Sequence, residues 1–168
     1  MKRADPDTGT VPVEITINGT TRRDTVPARL TLVDYLRDRV GLRGTHIGCE
    51  QGVCGACTIL LDGRSVRSCL MLAVQADGHS VATVESLETG GRLNRLQELF
   101  ARYDALQCGF CTPGMLMTCS ELLTERVTQP DIDPTTIAEW LSGNLCRCTG
   151  YSGIVKAVRH ALQGGDLP

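Results

Sequence analysis

Nine cysteines are the residues of this chain best equipped to do chemistry. Cys49, Cys54, Cys57 and Cys69 are spaced C-x4-C-x2-C-x11-C. The first three carry a spacing that holds a [2Fe–2S] cluster. Their loop reads CEQGVCGAC, with Gly48 just before it and Gly52 and Gly55 inside. A loop wrapped around a cluster needs small residues and positive φ angles. Such a loop also points backbone N–H groups at sulfur, which stabilises an anionic cluster and tunes its potential. The rival is a structural zinc site, which also takes four thiolates but usually as C-x2-4-C pairs. Three cysteines in one glycine-rich loop favour iron and sulfide. A Rieske centre needs two histidines beside two cysteines, and His46, His79 and His160 are too scattered for that.

A second group follows. Cys108 and Cys111 form C-x2-C, Cys146 and Cys148 form C-x-C, and 34 residues separate the pairs. Each pair precedes a predicted helix. Helix starts present unsatisfied N–H groups and partial positive charge, which suit a dianionic four-thiolate cluster. On ligand type alone a helical zinc site is a fair rival here. Cys119 is left over, inside an apolar helical stretch with Met115, Leu116 and Leu122. It reads as a small buried hydrophobe and not as a ninth ligand.

The elements that must position these thiols fall into two kinds. Residues 1–10 are polar and expected to be disordered. Val11, Val13, Ile15 and Ile17 alternate as in a half-buried strand. Asn18-Gly19 is a hairpin signal, returning along Thr20 to Val26. Thr31 can cap a helix from Leu32 to Val40, with Asp34 near a capping-box position and Gly41 as the stop. After the cysteine loop, Thr58 to Leu61, Asp62-Gly63 and Arg64 to Ser68 read as a second hairpin, and Ser80 to Val84 as a short strand. The first half is thus a small mixed sheet with one helix. Beyond a polar link at 86–92, helices are predicted over 93–103, 113–126, 134–142 and 152–163. Pro113 and Pro134 stand at first-turn positions, and Gly143 is a stop. Four such helices make a bundle.

Length, charge and leader agree with a metal-stabilised chain. Its 168 residues suit two small domains. A domain of about 80 residues has a thin core that often needs a metal or another crosslink. Seventeen basic residues balance 19 acidic ones without a basic block, so neither nucleic acid nor a membrane surface is expected as a partner. The start, MKRADPDTGT, has no apolar run, so no signal peptide is expected. No stretch approaches the ~20 apolar residues of a membrane span. A cytoplasmic location follows, where thiols stay reduced and cysteines serve metals before disulfides. No Ser/His/Asp set, paired carboxylates or phosphate-binding glycine loop appears, so no catalytic residue is expected. Glu50, Asp62 and Asp104 read as surface or turn residues.

Three stretches together, GTHIGCEQGVCGACTILLDG with SCL at 68–70, QCGFCTPGM and LSGNLCRCTGY, resemble the small iron–sulfur subunit of the molybdenum hydroxylases. The family includes xanthine dehydrogenase, aldehyde oxidoreductase, aerobic carbon monoxide dehydrogenase and the bacterial N-heteroaromatic hydroxylases. The resemblance covers about residues 40 to 160, and both cluster motifs agree in order. It implies an α+β chain, with a ferredoxin-like (β-grasp) domain over 1–88 and a helical four-helix-bundle domain over 89–168. It also implies partners: a large subunit holding molybdopterin, in its cytosine dinucleotide form, and a medium subunit holding FAD, assembled as a dimer of heterotrimers. Gln107 matches the family glutamine that hydrogen-bonds the pterin, and Cys148 the ligand nearest the pterin amino group. Electrons would leave molybdenum through the C-terminal cluster, then the N-terminal one, to FAD. The loop Glu50-Gln51-Gly52-Val53 is similar to those of subunits serving hydroxylases of the quinoline, isoquinoline or nicotine type. Two other readings stand beside this one: a free two-cluster ferredoxin and a zinc-stabilised interaction module.

Overall fold

The structure, a computed structural model, describes residues 5, 9–126 and 132–164. Strand β1 (Thr10–Ile17) turns at Asn18-Gly19 into the antiparallel β2 (Thr20–Pro27). Val11, Val13, Ile15 and Ile17 all point into the core, as the alternation requires. Asn18 (φ 48°) and Gly19 (φ 80°) both adopt left-handed backbone, the geometry of a type I′ hairpin turn. Asp62 and Gly63 repeat it between β3 (Thr58–Leu61) and β4 (Arg64–Arg67). Strand β5 (Ser80–Ala82) lies parallel to β1 and antiparallel to β3, giving the order β2-β1-β5-β3-β4.

Four expectations need correction. Of residues 1–10, the described ones are ordered: Thr10 opens β1, and the Asp5 and Gly9 N–H groups donate to Thr10 O and Asp5 O, both at 2.8 Å. The remaining seven lie outside the described residues. The helix expected over Leu32 to Val40 is α-helical only for Leu32–Asp34 (α1) and continues as a π-helix over Tyr35–Val40. Leu32, Val33, Tyr35 and Leu36 are all buried there, and the Tyr35 hydroxyl donates to Asp24 on β2 at 2.6 Å. The widened turn ends where the Gly41 and Leu42 N–H groups share the Leu36 carbonyl. Strand β5 stops at Ala82, short of Val84, because side chains take over the ladder. Thr83 N–H donates to Asn18 Oδ1, and Asn18 Nδ2 donates to Thr83 Oγ1, both at 2.9 Å. Likewise β4 ends at Arg67. Ser68 opens a 3-10 turn, and its hydroxyl donates to Cys57 O at 2.7 Å. The Thr31 cap stands as expected, its hydroxyl accepting from Asp34 N–H at 3.2 Å.

Four helices follow: α2 (Arg95–Arg102), α3 (Thr112–Arg126), α4 (Pro134–Leu141) and α5 (Ser152–Gln163). Asn94 and Gln97 close a capping box on α2. Pro113 and Pro134 sit in first turns, and Asp133 caps α4. Helix α5 packs on α2, α3 and α4 around Leu99, Phe100, Met115, Leu122, Ile137 and Ile154. A separate core of Ile15, Leu32, Tyr35, Leu36 and Ile59 lies under the sheet. Helix α3 joins the halves by also packing on β3 and β4. Arg64 on β4 pairs with Glu121 at 3.1 Å and with Glu125, both on α3. Among the described residues, no helix is long and apolar enough to cross a membrane.

Candidate metal centres

The first thiol group occupies the loop between the π-helix and β3. Its left-handed positions are Glu50 (φ 56°), Gly52 (φ 76°) and Gly55 (φ 73°). These reversals turn the Gln51 and Cys54 N–H groups onto Cys49 Sγ, each at 3.4 Å. Those two N–H groups, Cys54 first, and the Cys54 thiol bring the Cys49 thiol down to about 7. Cys57 is buried, and Cys69 faces it. Burial first, then the Cys57 thiol, pushes Cys69 up to about 11. The four thiols therefore meet as two pairs, Cys49 with Cys54 and Cys57 with Cys69.

The second group lies at the mouth of the bundle. Cys111 is half-buried and its carbonyl accepts from Met115 N–H at 3.0 Å, opening α3. Burial, then the Cys146 thiol, raises Cys111 to about 12. Cys108 and Cys148 are exposed and paired; the Cys108 thiol is the main cause raising Cys148. Burial acts to raise Cys146. The Thr149 hydroxyl at 3.1 Å and N–H at 3.5 Å outweigh it and bring that thiol below its ordinary range. Tyr151 holds this loop shut: its hydroxyl accepts from Cys146 N–H at 2.8 Å and donates to Asn144 O at 3.0 Å.

The donor sets fit the group that the spacing implies. A [2Fe–2S] cluster takes four cysteines, two on each iron, and both groups present their thiols in pairs. Mononuclear zinc needs its ligands about one point. N–H and O–H donors on sulfur, as at Cys49 and Cys146, are what an anionic cluster requires. Cys119 is fully buried in the helical core, and burial alone raises its thiol. Gln107 is exposed beside Cys108. Glu50, Asp62 and Asp104 all take left-handed turn conformations.

The two groups are joined directly. Leu145 N–H donates to Cys54 O at 2.8 Å, so one hydrogen bond and one residue separate Cys54 from Cys146. Nearby, the His46 ring stacks on Phe110 with centroids 5.0 Å apart, and His46 Nδ1 lies 2.8 Å from Phe110 O. Gly55 has the chain so close that a Cβ there would meet Gly143 O at 2.5 Å. Spacing rules alone do not single out Asn144, Arg67, Phe110 or Tyr151. Each acts across a long stretch of chain or through a backbone atom, and leaves no periodic signal.

Fold and thiol arrangement together define a protein with two [2Fe–2S] binding domains in one chain. Residues 15–83 match the family model described as the 2Fe-2S iron-sulfur cluster binding domain, and residues 83–159 that described as the [2Fe-2S] binding domain. The chain is 52% identical over 147 residues to the caffeine dehydrogenase subunit gamma of Pseudomonas sp. (strain CBB1), covering 88% of each. It is 54% identical over 151 residues to the nicotine 6-hydroxylase small subunit of Paenarthrobacter nicotinovorans, covering 90% of this chain and 89% of that one. The crystal structure of quinoline 2-oxidoreductase from Pseudomonas putida 86 superposes with a TM-score of 0.85 at 51% identity, over 95% of this chain and 99% of that chain. The chain belongs to the small iron–sulfur subunits of the xanthine dehydrogenase family, which serve multi-subunit oxidoreductases.

Proposed function

We propose that Cys49, Cys54, Cys57 and Cys69 hold one [2Fe–2S] cluster and Cys108, Cys111, Cys146 and Cys148 a second. The chain relays electrons from molybdopterin on a large subunit to FAD on a medium subunit. The observation that carries this reading is the pairing of eight thiols in two groups linked by the Leu145–Cys54 hydrogen bond. Bound there, each cluster supplies reversible one-electron chemistry. This chain's residues supply the rest: sulfur ligands, N–H donors that set potential, and a fixed spacing. Substrate is not handled by these residues.

Exposed Cys148 and Gln107 are the side chains we assign to the pterin contact, Cys148 toward its amino group and Gln107 as hydrogen-bond partner. Six large apolar residues are exposed among the described residues, and five of them (Val53, Leu70, Leu106, Phe110 and Leu145) stand within two residues of a cysteine of these groups. Apolar surface gathered around the redox groups favours a subunit over a free ferredoxin, which would keep that surface polar. We divide the chain at 88/89 into its two domains and place it in the cytoplasm, in a dimer of heterotrimers whose pterin is the cytosine dinucleotide form. The relatives' names, caffeine, nicotine and quinoline, support an N-heteroaromatic substrate. Size-exclusion chromatography of the native protein tests the partner assignment. Elution with two larger chains is expected, and a lone 18.1 kDa species would sink it.

A further inference from the structure

We propose that Asn144 is a positioning residue that sets the separation of the two cysteine groups, and with it the rate at which electrons cross between them. The inference rests on the electron-relay reading above. Asn144 is 1% exposed and lies between the halves of the molecule. Its amide uses every donor and acceptor it has. Nδ2 donates to Gly55 O at 3.0 Å and Thr58 Oγ1 at 3.2 Å. Oδ1 accepts from Thr118 Oγ1 at 3.0 Å and from Arg67 Nη2 at 3.2 Å. A flipped amide would set N–H against the Arg67 guanidinium, so the orientation is unique. Arg67 adds bonds to Gly143 O at 2.6 Å and Thr58 Oγ1 at 2.7 Å.

The consequence is geometric. Asn144 sits one residue before Leu145, whose N–H meets Cys54 O, and two before Cys146. Its side chain grips Gly55, one residue after Cys54. One buried amide therefore clamps both loops beside the Leu145–Cys54 hydrogen bond. A buried network fully satisfied in this way is rigid, and removing one member leaves several groups unpaired at once. The crossing is a one-electron exchange: the donor group is oxidised by one electron, the acceptor is reduced by one, and no bond or proton moves.

The test uses the full chain with its iron, comparing the unsubstituted protein with Asn144→Ala. Hydrogen exchange at the Leu145 amide should speed about tenfold or more, since a buried network loses its centre. Amides in β1 and β2 should keep their rates. In the reduced protein both EPR signals should keep their g values and potentials while the magnetic splitting between them weakens. A merely structural role would speed the exchange but leave the splitting as it is, so the splitting separates the two roles. If Asn144→Ala does not fold, Arg67→Ala at the sheet edge decides, with the same local acceleration expected. Unchanged splitting in the folded variant, with or without faster exchange at Leu145, would overturn the proposal. Exchange at Leu145 reports on the clamp whether or not the thiols hold iron. The iron–sulfur reading stands or falls separately, on the EPR signals of the unsubstituted chain.

Discussion

The N–H of Leu145 donates to the carbonyl of Cys54 at 2.8 Å, so the two cysteine groups of this chain touch through their backbones. Leu145 is otherwise half in solvent, and its side chain contributes to the apolar surface around the second group. The contact belongs to the backbone and survives most side-chain changes at either position. Its neighbours decide whether it forms.

Gly55 is the first of these. It takes φ +73°, and a Cβ would approach Gly143 O at 2.5 Å and the Asn144 amide at 2.8 Å. Gly55→Ala should cost roughly 1–3 kcal/mol from the left-handed backbone alone, with the backbone contact adding to it. Chemical denaturation should show the loss. Gly63→Ala has the same sign of φ but no atom within 4 Å, so it should lose less. Equal losses at the two sites would contradict the close approach.

Cys148 is exposed and pairs with Cys108. Cys148→Ser should remove or shift one EPR signal and spare the other, with up to about half of the bound iron lost. Two unchanged signals would contradict its place in the second group.

Cys54→Ser should do the reverse. Its thiol faces Cys49 and is the group the substitution removes, so the first group is disturbed and the second retained. Iron analysis beside EPR of the reduced protein would show which signal survives.

Cys119 has no ligand role in this account. Cys119→Ala should keep both signals and full iron, at a cost of about 1 kcal/mol for the small cavity. Cys119→Ser should cost more, roughly 1–3 kcal/mol, because a hydroxyl is buried among Met115, Leu116 and Leu122. Loss of either cluster in the alanine variant would make it a ligand.

Tyr35 gives the fold a pH dependence. Burial first, then its hydrogen bond to Asp24, holds the phenol well above its ordinary value of about 10. The folded state therefore binds this proton more tightly than the unfolded chain. The stabilisation is fully present below about pH 10 and is lost as pH rises toward the folded value. Unfolding midpoints should fall above pH 10 in the wild type and fall less in Tyr35→Phe. Parallel curves would contradict the assignment.

Much of this was legible in the chain itself. The β1 alternation, the two Asn/Asp-Gly turns, the proline-led helices and the cysteine spacing each depend on neighbours within a few residues. The π-helix was not legible, because its apolar spacing is that of an ordinary helix and its contact from Tyr35 to Asp24 on β2 lies outside the segment. Nor was the position of β5 between β1 and β3, which is set by pairing across more than sixty residues. The pairings of Cys108 with Cys148 and of Cys111 with Cys146 span two helices, and the Asn144 clamp joins the two halves; local period carries no information about either. Asp62 was read as a turn residue, and so it is. It also holds His79 Nδ1 at 2.6 Å and accepts from Ser80 N–H, pinning the start of β5.

The most direct test is metal analysis joined to EPR of the dithionite-reduced native protein. This account predicts iron and sulfide, no stoichiometric zinc, and two distinguishable rhombic signals from two [2Fe–2S] clusters. A colourless protein that binds zinc, or a single signal with half the iron, would contradict it.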